Sequence, residues 1–275
     1  MTDLVKLAAA NNARWQAMKV HQQRVAQIDA VAHRLIAPTA KARYMALSAR
    51  TGVPWPVIAV IHEREASQRW DRSIAQGDRI DRPSVNVPQG RGPFTSWENA
   101  GYDALVACAP YAAHWTDWSA GGALTILEQY NGLGYAAGPS DAETGKHYPP
   151  QPSPYIWADT DQYTSGKYIR DHVFKPDVVD PQDGCAALLA RMIALDPSAD
   201  FGGSKSPTPV VSDMRDTHWV QISLNKLGCK PPLNEDGDYG AKSRAAVRAF
   251  KLAMSLPDDD VLDDATLDAL AQAIA

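Results

Sequence analysis

The chain has 275 residues, 45% of them hydrophobic and 21% charged, with a formal net charge of −5. That length exceeds the usual single-core size, so two folded parts are expected, each of ordinary globular composition. Split at Ser212, the first part carries 20 basic and 21 acidic residues and the second 7 and 11; with no basic stripe, nucleic acid is disfavoured as a partner.

Other classes recede for similar reasons. The longest apolar run, residues 53–61, is too short for a bilayer span and is interrupted by prolines. No cationic amphipathic tail is present either, so membrane insertion is not expected. Cys108, Cys185 and Cys229 are odd in number, far apart and without C-x-x-C spacing, which reads as reduced thiols. The first residues lack a basic region followed by an apolar block and a cleavage site, so the protein is expected to be made and held in the cytoplasm. A monomer without cofactor or metal is expected.

In chain order, residues 4–36 give an almost unbroken helical pattern with no Pro or Gly, opening at a Thr2 or Asp3 cap and closing before Pro38. A second helix spans 39–50 and stops at Gly52. Next comes Val57-Ile58-Ala59-Val60-Ile61-His62-Glu63-Arg64-Glu65, an apolar helical block that ends in acid. Residues 73–87 are expected to supply the strands of a single small hairpin sheet, and 93–109, 119–129 and 181–195 read as further helices. The stretch around 196–210 is dense in Pro, Gly and Ser, as linkers are. The expected division is a mainly α domain over 1–198, with one small sheet, a linker over 199–212 and a three-helix module over 213–275.

The acids carry the chemical signal. Glycosidic cleavage commonly needs one carboxyl kept protonated and a second, ionised group across the bond. An acid at the end of an apolar helix is poorly hydrated, which favours its neutral form. Glu63 and Glu65 point to opposite faces, and Glu65 shares the face of Ile58, Ile61 and His62, so Glu65 is preferred. Asp78, in the polar turn Gln76-Gly77-Asp78, is expected to stay charged. His62-Glu63 is not a zincin motif, because position 66 is Ala rather than His.

Residues 53–88 resemble the phage-type lysozymes, whose Glu is followed by a hairpin carrying an Asp and, six residues later, a Thr. Ser84 stands at that last position, and the Glu-to-Asp gap is a few residues longer than in the family. The resemblance implies Glu65 as general acid, with Asp78 and Ser84 holding or activating water. The Ile-x-x-Ile-x-x-x-Glu frame also resembles the acid-bearing helix of soluble lytic transglycosylases and goose-type lysozymes. Tyr130-Asn131-Gly132 and Tyr135 look like the segment that borders the glycan cleft in such folds. An ordinary helix end is the competing reading. Trp157, in a Pro-rich aromatic stretch with Tyr155, Tyr163 and Tyr168, is a candidate for stacking on sugar, or else a packed loop anchor.

From Trp219 to Leu270 the motifs Val220-Gln221, Leu224-Asn225, Leu227-Gly228, Asp236-Gly237-Asp238-Tyr239-Gly240, Ala246-Val247, Phe250-Lys251 and Thr266 resemble the peptidoglycan-binding domain 1 family. Lys251 replaces the usual Gln. That resemblance implies a three-helix wall-binding module, with Asp238 and Tyr239 as candidate contacts. A calcium loop is rejected, since the twelfth position from Asp236 is Val247. Taken together, the resemblances imply a phage endolysin: a muramidase that hydrolyses the β-1,4 bond after N-acetylmuramic acid and reaches the wall through a separate pore. A lytic transglycosylase and a non-catalytic wall-binding protein are the alternatives.

Overall fold

The computed structural model describes residues 2–201, 217–235 and 239–274. The chain divides into two compact units, Met1–Thr208 and Pro209–Ala275. The first is built around one helix. That helix, α4 (Trp55–Ala66), follows α1 (Leu4–Ala17), α2 (Val25–Ile36) and α3 (Pro38–Thr51). Residues 56–62 of α4 are all buried, so it is apolar on every side, as a central core helix must be. Around it pack α3, α6 (Ala120–Asn131) and α9 (Cys185–Leu195), while α1 lies on α6, α2 on α9 and α5 (Trp97–Val106) on α3. Two single-turn helices, α7 (Gly134–Ala137) and α8 (Pro154–Trp157), complete the helical frame.

The chain is mainly helical, as its pattern implies, but the strands lie elsewhere. Residues 73–87 form turns and bends with one isolated bridge, Arg72 to Arg79. A short pairing around that bridge remains, the Ser73 N–H donating to the Asp78 carbonyl at 2.8 Å and the Ile80 N–H to the Asp71 carbonyl at 3.1 Å; beyond it side chains take backbone groups, Asp78 accepting from the Val85 and Asn86 N–H groups and Arg72 donating to the Gly77 carbonyl. Two antiparallel pairs form instead of the single sheet expected: β1 (Ser140–Asp141) with β2 (Lys146–His147), and β3 (Lys167–Arg170) with β4 (Val173–Lys175). Lys175 bridges them through Asp141 and Glu143.

The long N-terminal helix is also interrupted. After Ala17 the chain leaves α1, and Lys19 exchanges hydrogen bonds with Asp161, its N–H donating to the carboxylate at 2.9 Å and its carbonyl accepting at 3.0 Å. Residues 18–21 contain no helix breaker, so this distant partner makes the break. Asp3 caps α1 through the Val5 and Lys6 N–H groups.

The second unit holds α10 (Thr217–Lys226), α11 (Ala241–Ala253) and α12 (Asp264–Ile274) around Val220, Leu224, Leu233, Val247 and Leu270. The amide of Asn225 and the backbone of Leu233 bond reciprocally, at 2.9 and 2.8 Å, which fixes the turn after α10. Lys251 is fully buried and pairs with Asp259, so the residue that departs from the family pattern staples the loop before α12. Among the described residues no helix is long and apolar enough to cross a membrane.

Candidate active site

Helix α4 ends abruptly. Ser67 and Gln68 both adopt positive φ, 49° and 56°, and their N–H groups return to the carbonyls of Glu63 and His62. Two successive non-glycine residues in the left-handed region are costly and persist only where the surroundings hold them. Here the hold is visible. The Gln68 amide bonds the Arg34 side chain, the Arg34 carbonyl and the Tyr44 hydroxyl. His62 sits buried beside Trp70 and Trp97 with Nε2 at 3.1 Å from the Arg69 carbonyl and Nδ1 at 2.9 Å from the Tyr44 hydroxyl. A carbonyl only accepts, so Nε2 carries the proton and Nδ1 accepts from Tyr44. Burial pushes the imidazole down to about 4, which keeps it neutral in this post.

The two glutamates on either side of Arg64 face different ways. Glu63 pairs with Arg34 of α2 at 3.1 Å. Glu65 lines a cleft of about 650 Å³ together with Arg64, Asn131, Tyr135, Tyr155, Lys167, Tyr168 and the tip of the β3–β4 hairpin. The Tyr155 hydroxyl donates to Glu65 Oε1 at 2.8 Å. Burial pushes the Glu65 carboxyl up to about 7, against the opposing pull of the Tyr155 hydroxyl and the Arg64 charge. A carboxyl raised that far toward neutrality keeps its proton far more readily than a free glutamate, the condition a general acid needs.

The neighbouring charges are committed elsewhere. Arg64 donates to Asp180 Oδ2 and to the Asp183 carbonyl, both at 3.1 Å, while Lys167 donates to Asp180 Oδ1 at 2.8 Å. The Arg64 guanidinium lies 4.6 Å from the Tyr155 ring centroid. Asp180 thus pairs with both Arg64 and Lys167, and Arg64 braces the ring whose hydroxyl reaches Glu65.

Gly77 approaches the same helix end. A Cβ there would lie 2.7 Å from the Glu65 carbonyl oxygen, and its φ is +72°, so only glycine suits the position. The next residue, Asp78, is therefore close to Glu65 along the backbone, yet its carboxylate is spent on the loop that follows. Oδ2 accepts from the Val85 and Asn86 N–H groups at 2.9 and 2.8 Å, and Oδ1 from the Asn86 amide at 2.8 Å. Partial burial opposes ionisation, but these donors prevail and hold the carboxyl below its usual range. Ser84 donates to the Pro88 carbonyl at 2.7 Å and accepts from Arg91 N–H at 3.0 Å. Neither Asp78 nor Ser84 is among the residues lining the Glu65 cleft.

The other sequence candidates are divided. Asn131 and Tyr135 line the cleft, Asn131 bonding Ser153 and Tyr135 accepting from the Tyr168 N–H. The Tyr130 hydroxyl instead donates to the Ile74 carbonyl, which ties α6 to the turn before Gly77. Trp157 is fully buried in the core. Tyr155 was legible only as one aromatic in a Pro-rich stretch. Its contact with Glu65 depends on Ser153 capping α8, whose hydroxyl accepts from Tyr155 N–H at 3.2 Å. In the second unit Tyr239 donates to the Asp260 carbonyl at 2.6 Å, with Arg244 over its ring. Asp238 lies outside the described residues.

Residues 214–270 match the family model described as "Putative peptidoglycan binding domain". That match supports a peptidoglycan-binding module at the C-terminus, which suggests an association with the cell wall. No curated protein and no solved structure matches the chain.

Proposed function

We propose that the protein cuts the glycan strands of bacterial peptidoglycan, with Glu65 donating the proton to the leaving oxygen. The reading is carried by one observation: a carboxyl raised to about 7, hydrogen-bonded by Tyr155, in a cleft of about 650 Å³ within a chain that also bears a wall-binding module. Protonated Glu65 delivers its proton as the C1–O bond breaks, leaving an oxocarbenium-like sugar and a Glu65 carboxylate. That carboxylate then takes a proton from the incoming nucleophile.

If the nucleophile is water the enzyme is a muramidase, hydrolysing the β-1,4 bond after N-acetylmuramic acid. If it is the 6-hydroxyl of the muramoyl sugar itself, the enzyme is a lytic transglycosylase and the product carries a 1,6-anhydro end. The engagement of Asp78 with Val85 and Asn86 favours the second reading, because it leaves Glu65 to act as both acid and base. Mass spectra of soluble products from purified peptidoglycan separate the two through the anhydro end. Glu65→Gln is expected to lower the rate of turbidity loss by roughly 10²–10⁴-fold, whereas Glu63→Gln leaves it near normal. A folded Glu65→Gln enzyme with wild-type activity, or a wild-type protein that binds wall without clearing it, would remove the proposal.

A further inference from the structure

Gly134 and Tyr135 of α7 line the Glu65 cleft, but the next two residues, Ala136 and Ala137, line a different cavity of about 570 Å³. One wall is a face of α1, since Asp3, Lys6, Ala10 and Arg14 recur at helical spacing, and Glu128 of α6 and residues 150–152 also line it, the Gln151 amide nitrogen being buried without a hydrogen-bond partner. The two helices approach closely: a Cβ on Gly121 would stand 2.3 Å from the Ala8 carbonyl oxygen. Thr125 and Glu128 follow Gly121 on that same stripe of α6, and Thr125 accepts from Asn11 of α1 at 3.2 Å. Close packing at Gly121 therefore carries Glu128 into the interior at the cavity wall.

Glu128 is only 2% exposed. No hydrogen bond or ion pair joins its carboxyl to any described residue, and burial pushes it up to about 8 against the pull of the Arg14 charge. Buried carboxyls are ordinarily paired, and the departures call for an explanation. Arg14, half-buried on the facing helix, also has no side-chain partner among the described residues. Lys6 and Asp3, at the exposed end of the cavity, are a loose pair at 3.5 Å. An unpaired acid and an unpaired guanidinium thus face one cavity without joining each other. A simple amine would satisfy only the first, and a simple anion only the second.

We infer that this cavity binds the head group of an α-amino acid, with the ammonium on the Glu128 carboxylate and the carboxylate on the Arg14 guanidinium. A diaminopimelic acid residue in a wall stem peptide keeps such a head group at its second α-carbon, and a free amino acid offers the same one. The stem-peptide source rests on the function proposed above; the site itself does not.

The test uses full-length Glu65→Gln protein, so that glycan cleavage does not intervene, titrated with meso-diaminopimelic acid and followed by calorimetry and ¹⁵N spectra. Saturable binding is expected, with shifts centred on Ala10, Ala136 and Ala137. A proton should be released near pH 7, since the arriving ammonium ionises a carboxyl that is otherwise mostly neutral there. Acetylating both amines, amidating both carboxyls, Glu128→Gln and Arg14→Gln should each weaken binding about tenfold or more. A disaccharide stem peptide that shifts the same residues identifies the wall as the source, and its failure where the free amino acid binds identifies a small-molecule ligand. No binding at millimolar concentration, shifts elsewhere, or blocked ligands that bind equally well would overturn the inference. So would undiminished affinity in the Arg14→Gln protein, a rim change that leaves the α1–α6 contact intact. If the head group binds while wild-type protein leaves glycan intact, the proposed function fails and the site stands.

Discussion

Glu65→Gln is expected to raise stability in alkaline solution, the opposite of its effect on activity. The folded carboxyl is raised from 4.5 to about 7 by burial, so between these values the folded state binds a proton that the unfolded chain has lost. Wild-type stability therefore falls as pH rises from about 4.5 through about 7, and the penalty is complete at pH 8. A shift of that size corresponds to roughly 3 kcal/mol, and water in the open cleft reduces it to about 1.5–3 kcal/mol. Glutamine keeps an oxygen to accept from the Tyr155 hydroxyl but carries no charge, so it avoids the penalty. For a unit of this size the variant should melt about 3–10 °C above wild type at pH 8. Near pH 4 the Glu65 carboxyl is mostly protonated in the folded and unfolded states alike, and the difference should nearly vanish. Glu128 titrates alike in both proteins and cancels. Thermal melts at several pH values between 4 and 8 provide the readout. A difference that does not change with pH, or a variant less stable at pH 8, would refute the claim that Glu65 is held in a desolvated site.

Asp78→Asn and Ser84→Ala should each cost about 1–2 kcal/mol through lost loop hydrogen bonds, while cleavage falls far less than in Glu65→Gln; a folded Asp78→Asn enzyme as inactive as Glu65→Gln would restore a water-activating role. Tyr155→Phe removes a bond that favours ionised Glu65, so the alkaline limb of the pH–rate profile should move to higher pH, and an unmoved or lowered limb contradicts the geometry. Gly77→Ala places a methyl against the Glu65 carbonyl and strains a positive φ, so it should destabilise by about 1–3 kcal/mol; denaturant midpoints measure this, and a neutral result argues against the close approach. Ending the chain near Gly202 should leave a folded unit that still clears wall suspensions but sediments with them less well, since each unit has its own apolar core. Insolubility of that fragment would deny the independence of the two cores.

What the sequence determined alone was what depends on neighbours along the chain. An unbroken apolar block from Val57 to Ile61 must be buried, and read as helix its periodicity puts Glu65 and Glu63 on different faces; Gly52 and Gly228 stop helices because few other residues accept positive φ. The spacing of Leu224 and Leu227, and of Ala246, Val247, Ala249 and Phe250, likewise gives helices of the small module from local pattern alone. Tertiary structure decided whatever needs a distant partner. Residues 18–21 leave the helix because Asp159 and Asp161 bond their backbone, and no local residue announces it. Asp78 resembled a catalytic carboxylate by spacing, but which donors would take up its oxygens depended on how the loop through Val85 and Asn86 folded back. The Tyr155 hydroxyl reaches Glu65 across 90 residues of chain, and Glu128 is stranded without a partner because α1 and α6 close on Gly121. Spacing fixes which face a side chain occupies. Only the packed chain fixes which groups meet there, how dry the meeting place is, and hence which carboxyl keeps its proton.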